Sequence, residues 1–161
     1  MGSAHPLNAP YQAFETADGW ITIGAANQPN WLRLLDVLER PELADDARYQ
    51  DSKSRMDHLP SLTQVLSEIF KTRSKADWLD RLEQAGVPAG PVLNVLEMQA
   101  DPQALARDMI VEVDHKTAGP VKSLGCPIKF SETPASVRTA APVYGQHTRA
   151  VLADHGYDAA A

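Results

Sequence analysis

Residues 85–92, with the sequence AGVPAGPV, constrain the fold of this chain more than any other stretch. Gly86 can adopt a positive φ and so end a helix, while Pro88 and Pro91 lack a backbone donor and favour extended conformations in the residues before them. Apolar residues mainly follow helical spacing before this stretch and mainly follow strand and turn patterns after it. We therefore predict a rigid exit from a helix into a short strand over residues 92–95.

The beginning of the chain predicts an arm followed by a β-hairpin. Residues 1–10 contain glycine and prolines with little periodicity, which is typical of an extended arm. Residues 11–14 and 20–25 are rich in aromatic and β-branched side chains, and Asp18 and Gly19 between them supply the backbone conformation of a tight hairpin. The expected result is a pair of antiparallel strands.

Helical periodicity dominates residues 27–86. We predict a first helix capped by Asn27 or Asn30, then a short helix over residues 42–46 opened by Pro41. A long helix follows, capped by Asp51 or Ser52 and broken or kinked by Pro60. A further helix begins at Ser74, which with Asp77 is close to a capping box, and ends at Gly86. The residues expected on buried faces are Trp31, Leu34, Leu35, Leu38, Leu59, Leu62, Val65, Leu66, Ile69, Phe70, Trp78, Leu79, Leu82 and Ala85.

Shorter elements are predicted after residue 93. Two helical pieces within residues 94–106 are separated at Asp101 and Pro102, with Leu96, Met98, Leu105 and Met109 expected to face inward. Strands over residues 110–113 and 121–124 are joined by a turn at 116–120. We expect an edge strand over 126–130, an irregular strap over 132–144, and a final helix ended by Gly156. The predicted fold class is α+β: an N-terminal hairpin, three to five helices, antiparallel strands and a C-terminal helix.

Composition excludes several classes of function. The net charge of −6 and the lack of a basic stripe argue against a nucleic-acid binder, and Lys71, Arg73 and Lys75 are interpreted as a solvated helix junction. No apolar run is long enough for a membrane span, and the start of the sequence resembles no secretion signal. Cys126 is the only cysteine, which suits a reducing cytoplasm. We expect a soluble cytoplasmic protein.

The sequence contains no catalytic constellation. Its histidines are scattered and match no metal motif, and the nucleophile elbow, the P-loop and the dinucleotide fingerprint are all absent. Cys126 lies beside Ile128 and Phe130, so we interpret its thiol as packed and inert. Asp45 and Asp46 are neighbours, which favours an exposed acidic turn over paired catalytic carboxylates. We therefore name no catalytic residue and no metal ligand.

Three ordered blocks nevertheless resemble one family, the class III CoA-transferases, which include the formyl-CoA and carnitine CoA-transferases. The first comprises residues 2–6, 9–14 and 17–20, the second residues 85–92 with 101–103 and Met109, and the third residues 118–121, 127–131, 133–134 and 145–148. Together they cover nearly the whole chain. The resemblance is to the small domain and C-terminal segment of the family only, because members of the family are considerably longer.

The resemblance implies an activity that these residues do not complete. Members of the family transfer CoA from an acyl-CoA to another acid through an aspartate that forms a mixed anhydride and then an enzyme-CoA thioester. That aspartate belongs to the larger domain, and no aspartate of this chain lies in a matching segment. The implied substrate is coenzyme A in ester form, and no tightly bound cofactor is expected. Residues 1–133 would form the small domain with its arm, and residues 134–161 a strap and helix that pack on the large domain.

The same resemblance indicates where a ligand contact would lie. The loop before the first hairpin lies near the active site in the family, so Gly2, Ser3 and His5 are the candidate cofactor-binding residues here. A loop histidine that is merely exposed is the alternative. Two further alternatives concern the whole chain: a stand-alone assembly module that self-associates or complements a separate large-domain subunit, and a small enzyme in its own right. The expected partners are a second copy of the chain or a large-domain subunit.

Overall fold

The computed structural model describes residues 2–157 of the chain. They divide into two compact units, Met1–Leu93 and Asn94–Ala161, which we call unit 1 and unit 2. The predicted boundary at residues 133 and 134 lies within unit 2. It concerns packing against a further domain, and it stays a prediction.

Unit 1 contains a three-stranded antiparallel sheet with helices between its second and third strands. Its elements are β1 Tyr11–Glu15, β2 Trp20–Gly24, α1 Gln28–Leu38, a 3-10 helix Pro41–Ala44, α2 Ser52–Asp57, α3 Leu59–Phe70, α4 Lys75–Gln84 and β3 Ala89–Pro91. The strand order is β1-β2-β3. Tyr11 pairs with Gly24 and Glu15 with Trp20, so the predicted hairpin is confirmed.

Side-chain caps start helices α1, α2 and α4 where the sequence predicts. The side chains of Asn27, Asp51 and Ser74 each accept a backbone N–H from the residue three positions later, which satisfies a donor that lacks a helical partner. The predicted long helix is two helices, α2 and α3, which meet at His58. Pro60 lies in the first turn of α3, where its missing donor costs nothing. The short helix after Pro41 has 3-10 geometry and covers Pro41–Ala44 instead of residues 42–46.

The exit from α4 follows the prediction, but the strand after it does not. Gly86 has φ +66°, its N–H donates to Glu83 O, and the Val87 N–H donates to Leu82 O, which is the hydrogen-bond pattern of a Schellman turn. β3 is Ala89–Pro91, so the strand predicted over residues 92–95 is wrong. The Schellman turn buries Val87 and brings the chain beside β2 at once, and Asn94 then caps the next helix with Glu97 in a full capping box.

The core of unit 1 lies between the sheet and helices α1, α3 and α4. Ile21 and Ile23 alternate with exposed Trp20 and Thr22 along β2, as expected of a strand with one buried face. The Phe70 ring lies 5.1 Å from Phe14 and packs edge-on against Trp78. The Trp78 Nε1–H donates to Phe70 O at 2.8 Å. The other large buried side chains are Trp31, Leu34, Leu35, Leu38, Tyr49, Leu62, Leu66, Ile69 and Leu82.

Unit 2 consists of short elements. They are α5 Val95–Gln99, α6 Pro102–Ala106, β4 Ile110–His115, β5 Gly119–Leu124 and α7 Thr148–Asp154. Strands β4 and β5 form a separate two-stranded antiparallel sheet. The two helical pieces, the hairpin, the irregular strap and the final helix are confirmed, and so is the α+β class. Gly156 follows α7 with φ +81°, as a helix-ending glycine does.

Several burial predictions for unit 2 are wrong. Residues 126–130 form no strand, Cys126 is only partly buried, and Ile128 and Phe130 are 57% and 59% exposed. Leu96 and Leu105, expected to face inward, are 77% and 49% exposed. The physical reason is that the described part of unit 2 has no second layer over these side chains. No residue after Val87 belongs to the buried core of residues 2–157.

Candidate ligand-binding site

The N-terminal arm runs along the outer edge of β1. The His5 N–H donates to Tyr11 O at 2.9 Å, and the Ala13 N–H donates to Ser3 Oγ at 3.0 Å. β1 is an edge strand of its sheet, so these bonds use backbone groups that would otherwise remain open to another chain. The arm thereby has a fixed position on the sheet.

Tyr11 connects the arm to the second strand. Its ring is stacked on the imidazole of His5, with centroids 5.2 Å apart and planes 17° from parallel. A Cβ at Gly24, its partner in the register, would lie 3.3 Å from Tyr11 Cε2. The ring therefore lies close over a residue without a side chain, and Gly24 is the residue that permits this approach.

Two concave regions meet at β1 and β2. A small pocket of about 260 Å³ is lined by Ser3, His5, Tyr11 and neighbouring strand residues, and we call it the arm pocket. A larger cleft of about 1070 Å³ includes Tyr11, Thr22 and Ile23 as well. The side-chain amides that line this cleft are those of Asn8, Asn27, Gln28, Asn30 and Gln50. The lining of both regions is mainly apolar; the larger cleft includes the charged residues Asp51 and Arg55, and the arm pocket includes no acid, lysine or arginine.

The structure thus brings two of the three predicted site residues together. Ser3 and His5 line the same pocket, whereas Gly2 lies outside that lining. Gly2 has φ +56° and open space around the position of a Cβ. Its glycine identity therefore suits the backbone turn rather than a close contact. Binding of a cofactor by any of the three stays a prediction.

Arg55 is the residue that the sequence analysis missed. Its guanidinium is fully buried beside the cleft, where it lies 5.1 Å from the Trp31 ring centre. Burial lowers the pKa of Arg55, and the charge of nearby Asp51 opposes this effect. The guanidinium donates to four acceptors, which are Ala9 O, Ala26 O, Tyr49 O and Gln28 Oε1. Three carbonyls and one amide thus stabilise a buried cation that ties the end of the arm to the scaffold.

A signal for Arg55 was present in the sequence. Arg55, Leu59, Leu62 and Leu66 are spaced by three or four residues, so the single long helix that the sequence predicts would have the arginine on the side of its apolar stripe. A charged residue at a stripe position indicates a buried, hydrogen-bonded cation. Its acceptors could not be identified in this way, because three of them are backbone carbonyls of separate segments.

The acidic residues near these regions are already engaged. The Asp51 carboxylate accepts the Ser54 N–H at 2.7 Å, and this bond lowers its pKa. The Arg48 side chain, bonded to Asp46, holds the pKa of that carboxyl at about 2. Within residues 2–157, no three His, Cys, Asp or Glu side chains are placed to hold a metal ion together.

The basic residues Lys71, Arg73 and Lys75 lie at the junction of α3 and α4, as predicted, and Lys71 and Arg73 form ion pairs there. Lys71 Nζ lies 2.8 Å from Glu15 Oε2, and Arg73 pairs with Asp77 and Glu39. The Lys75 N–H donates to Asp18 Oδ1. Among the helices of residues 2–157, none combines the length and the apolar character that a membrane span requires.

Comparison with known proteins gives the chain its family. Residues 1–148 match the family model described as CoA-transferase family III. The chain is 35% identical to the human succinyl-CoA:glutarate CoA-transferase over 151 residues, which are 94% of this chain and 34% of the human protein. It is 37% identical to a succinyl-CoA:mesaconate CoA-transferase of Haloarcula marismortui, over 98% of this chain and 39% of that protein.

A solved structure agrees with these sequence matches. The crystal structure of a CAIB/BAIF family protein from Brucella suis superposes with a TM-score of 0.79 at 34% identity, over 96% of this chain and 39% of that one. The chain therefore spans less than two fifths of the length of these relatives. The resemblance inferred from the three sequence blocks is confirmed, and the chain belongs to CoA-transferase family III.

Proposed function

We propose that this chain forms the small-domain and C-terminal part of a CoA-transferase that moves CoA from an acyl-CoA ester to a free carboxylic acid. The family match over residues 1–148 is the observation that carries the proposal. The carboxylate that receives the acyl group comes from a large domain outside these residues. Coenzyme A esters are then substrates of the complete enzyme, and the isolated chain binds them weakly and does not turn them over.

The chemistry of the cleft supports a nucleophile from elsewhere. An aspartyl anhydride requires a carboxylate that is free to attack a thioester carbonyl. Asp51 is the acidic side chain among the residues lining the large cleft, and its carboxylate already caps helix α2. The arm pocket contributes hydrogen-bonding groups but no acid. The described part of unit 1 is therefore suited to binding a substrate rather than forming the covalent intermediate.

The surface of unit 2 supports a partner. Its exposed apolar side chains include Leu124, Ile128, Phe130, Val151 and Leu152, which are between 45% and 64% exposed. Apolar surface of this kind is usually covered in a functional protein. The occupant that we propose is the large domain, and self-association of the chain is the alternative. An assembly module without any catalytic role is the second candidate function, and the same surface favours it.

Complementation tests the proposal. The large domain of a family member would be added as a separate chain or fused before residue 1, and transfer of CoA from succinyl-CoA to glutarate would be followed by liquid chromatography. We expect turnover only when both parts are present. The matched control is the same large domain with its nucleophilic aspartate replaced by alanine. Turnover by the isolated chain would overturn the proposal.

Two physical measurements separate the candidate functions. Titration of the isolated chain with CoA should give no tight binding. Sedimentation should show association, either of the chain with the large domain or between copies of the chain. A chain that stays strictly monomeric, both alone and with the large domain added, would exclude both partners. Association between copies without complementation would favour the assembly module.

A cytoplasmic location is also part of this proposal. The single cysteine, Cys126, suits the reducing environment of the cytoplasm.

A further inference from the structure

The outer edges of the two sheets are not equally open to a further strand. The arm covers the edge of β1, because the His5 N–H donates to Tyr11 O and the Ala13 N–H donates to Ser3 Oγ. An uncovered edge strand presents a row of backbone groups that can pair with another chain, and proteins commonly cover or interrupt such a row. The arm therefore closes one edge of the three-stranded sheet.

The opposite edge of that sheet is interrupted by a proline. In an antiparallel ladder, hydrogen-bonded residue pairs alternate with pairs whose backbone groups point away from the partner strand. The Val92 N–H donates to Trp20 O, so the next pair, Pro91 with Ile21, is of the second kind. The nitrogen of Pro91 thus lies on the outer side of β3 and has no hydrogen to donate.

The same alternation shows which groups face outward on the β4–β5 hairpin. The Gly125 N–H donates to Met109 O, so these two residues form a hydrogen-bonded pair. Along the register from this pair, every second pair points outward. On β4 the outward residues are Ile110, Glu112 and Asp114, and we call their backbone groups the β4 edge.

The β4 edge is open along its whole length. On β5 the outward residues are Pro120, Lys122 and Leu124, and Pro120 interrupts that row as Pro91 interrupts the edge of β3. The β4 edge contains no proline, and none of its N–H groups donates to another residue of the described chain. Of the four outer edges that residues 2–157 form, it is the one that is neither covered nor interrupted.

A groove lies beside the β4 edge. It has a volume of about 470 Å³ and is lined by Glu112, Val113 and Asp114, by residues 137–141 of the irregular strap, and by no residue of β5. Glu112 and Asp114 point to one face of the hairpin and Val113 to the other, so a space that touches all three lies at the outer side of β4. The strap forms no backbone hydrogen bond with β4 in the described part of unit 2. The groove therefore has room for an extended segment between β4 and the strap.

We propose that the β4 edge pairs with an extended segment of the large domain, so that the β4–β5 hairpin becomes part of a three-stranded sheet. The identity of this partner rests on the proposed function, whereas the openness of the edge does not. The chain spans less than two fifths of the length of its relatives, so most of a relative's polypeptide lies outside the matched residues and can supply such a strand. In pairing of this kind the main-chain hydrogen bonds provide the affinity.

A second copy of the chain fits the β4 edge less well. An antiparallel pair of two β4 strands centred on Glu112 would set this side chain opposite its own copy, and a shift of two residues would set it opposite Asp114. Like charges directly opposite each other are destabilising. Pairing with β5 of a second copy would use the edge that Pro120 interrupts. A strand with basic or uncharged side chains opposite Glu112 and Asp114 meets neither obstacle.

Amide hydrogen exchange of the ¹⁵N-labelled chain, alone and with the large domain used for complementation, tests the proposal. In the chain alone we expect slow exchange at Val111 and Val113, which are bonded to β5, and fast exchange at Glu112 and Asp114. The large domain should slow exchange at Glu112 and Asp114 about tenfold or more. Lys122 provides the matched control, because its N–H faces outward on the other strand and should stay fast.

Two results would overturn the proposal. The first is fast exchange at Glu112 and Asp114 in a complex that sedimentation shows to be formed. The second is slow exchange at both residues in the chain alone, since the strap or a second copy would then already occupy the edge. Dependence of that slow exchange on protein concentration would identify the second copy as the occupant.

Proline substitutions make the test quantitative. Glu112→Pro removes an outward N–H without removing a bond between β4 and β5, and we expect it to weaken association with the large domain about tenfold or more. Lys122→Pro makes the same change on the outer side of β5 and should leave the affinity unchanged. Slow exchange at Val111 and Val113 shows that the hairpin is intact in each variant. If Glu112→Pro disrupts the hairpin, the exchange experiment on the unsubstituted chain decides the question by itself. Equal weakening by both substitutions in intact hairpins would contradict the proposal.

The outcomes also separate this inference from the proposed function. Turnover by the two parts together, with fast exchange at Glu112 and Asp114 in the complex, would support the transferase role and reject the pairing. Association with slow exchange at these residues but no turnover would support the pairing and reject the transferase role. A chain that does not associate with the large domain would reject that domain as the partner in both proposals.

Discussion

In the described chain, unit 1 has eight helices and strands and unit 2 has five, and the two units differ in what holds these elements together. Every buried apolar side chain of the described core lies at or before Val87. In unit 2 the elements are set by local hydrogen bonds, such as the capping box of Asn94 and Glu97 and the β4–β5 ladder, while the described apolar side chains are exposed or only half-buried. The comparison teaches that local signals suffice to specify elements, whereas stability requires a second layer to bury their apolar faces.

The largest expected difference is in the response to a lost leucine. Leu66 is fully buried, so Leu66→Ala removes packing and leaves a cavity, and we expect the free energy of unfolding to fall by about 2–5 kcal/mol. Leu96 is 77% exposed, and Leu96→Ala should change the free energy of unfolding by less than about 0.5 kcal/mol. Urea denaturation of both variants measures the contrast. Equal effects would mean that unit 2 has a core of its own.

Arg55 tests whether a polar residue can be as important to unit 1 as an apolar one. Arg55→Met removes donors from the buried carbonyl groups of Ala9 and Tyr49 and from the part-buried carbonyl of Ala26, and we expect the free energy of unfolding to fall by about 1–3 kcal/mol. Arg33→Met is the control, since Arg33 is exposed on α1. Urea denaturation measures stability, and hydrogen exchange at the His5 and Ala13 amides, which bond the arm to β1, should show whether the arm loosens. Full stability in Arg55→Met would show that its hydrogen bonds are replaced by water.

Gly125 tests the local geometry of unit 2. A Cβ at this position would overlap the backbone oxygen of Asp108, so Gly125→Ala requires the backbone to move. We expect the Gly125 N–H to lose its bond to Met109 O and the adjoining end of β4–β5 to lose protection against hydrogen exchange. The unfolding midpoint of unit 1 should stay the same. A wild-type exchange pattern in the hairpin would contradict the close approach.

Matched helix caps test the same difference between unit 1 and unit 2 through interactions of lower energy. Ser74→Ala removes the side chain that accepts the Asp77 N–H at the start of α4, which should lower the stability of unit 1 by about 1 kcal/mol. Asn94→Ala removes the equivalent cap of α5 in unit 2. We expect it to increase amide exchange in α5 without a change in the global unfolding midpoint. A global effect of Asn94→Ala would mean that the two units unfold together.

The smallest effect concerns an exposed ion pair. The bond from Arg48 depresses the pKa of Asp46 from 3.8 to about 2, so its contribution to stability is present above pH 3.8 and is lost as the pH falls through about 2. An NMR titration of the Asp46 carboxyl carbon measures this value directly. Arg48→Gln should raise the pKa toward 3.8, and added salt should reduce the shift. An unchanged pKa in Arg48→Gln would exclude the ion pair as its cause.

Local sequence signals predicted the starts and ends of elements well. Asn27, Asp51, Ser74 and Gly86 all have the predicted roles, because each acts through hydrogen bonds or backbone angles within a few residues. Predictions that depended on distant neighbours were less successful. Hydrophobic character indicated a buried strand at residues 126–130, but burial requires a covering layer, and the described part of unit 2 provides none over Ile128 and Phe130.

The candidate site shows the same division. Because residues 2–6 resemble a known family, Ser3 and His5 could be identified as candidate site residues. The resemblance did not identify the atoms through which they would act. The register of β1 and β2 places Tyr11 opposite Gly24, and the bond from the His5 N–H to Tyr11 O accompanies the stacking of the two rings. No periodicity in the sequence contains this information.

The sequence by itself determined the α+β class, the hairpin at Asp18 and Gly19, the helix caps, the turn at Gly86 and the family. These depend on short-range geometry or on ordered blocks of residues along one chain. The tertiary structure alone decided that β3 is Ala89–Pro91, that Arg55 joins three carbonyls from separate segments, and that Ser3 and His5 line one pocket. The physical reason is that hydrogen bonds and burial between distant segments depend on how the elements pack, and a linear pattern does not specify that packing.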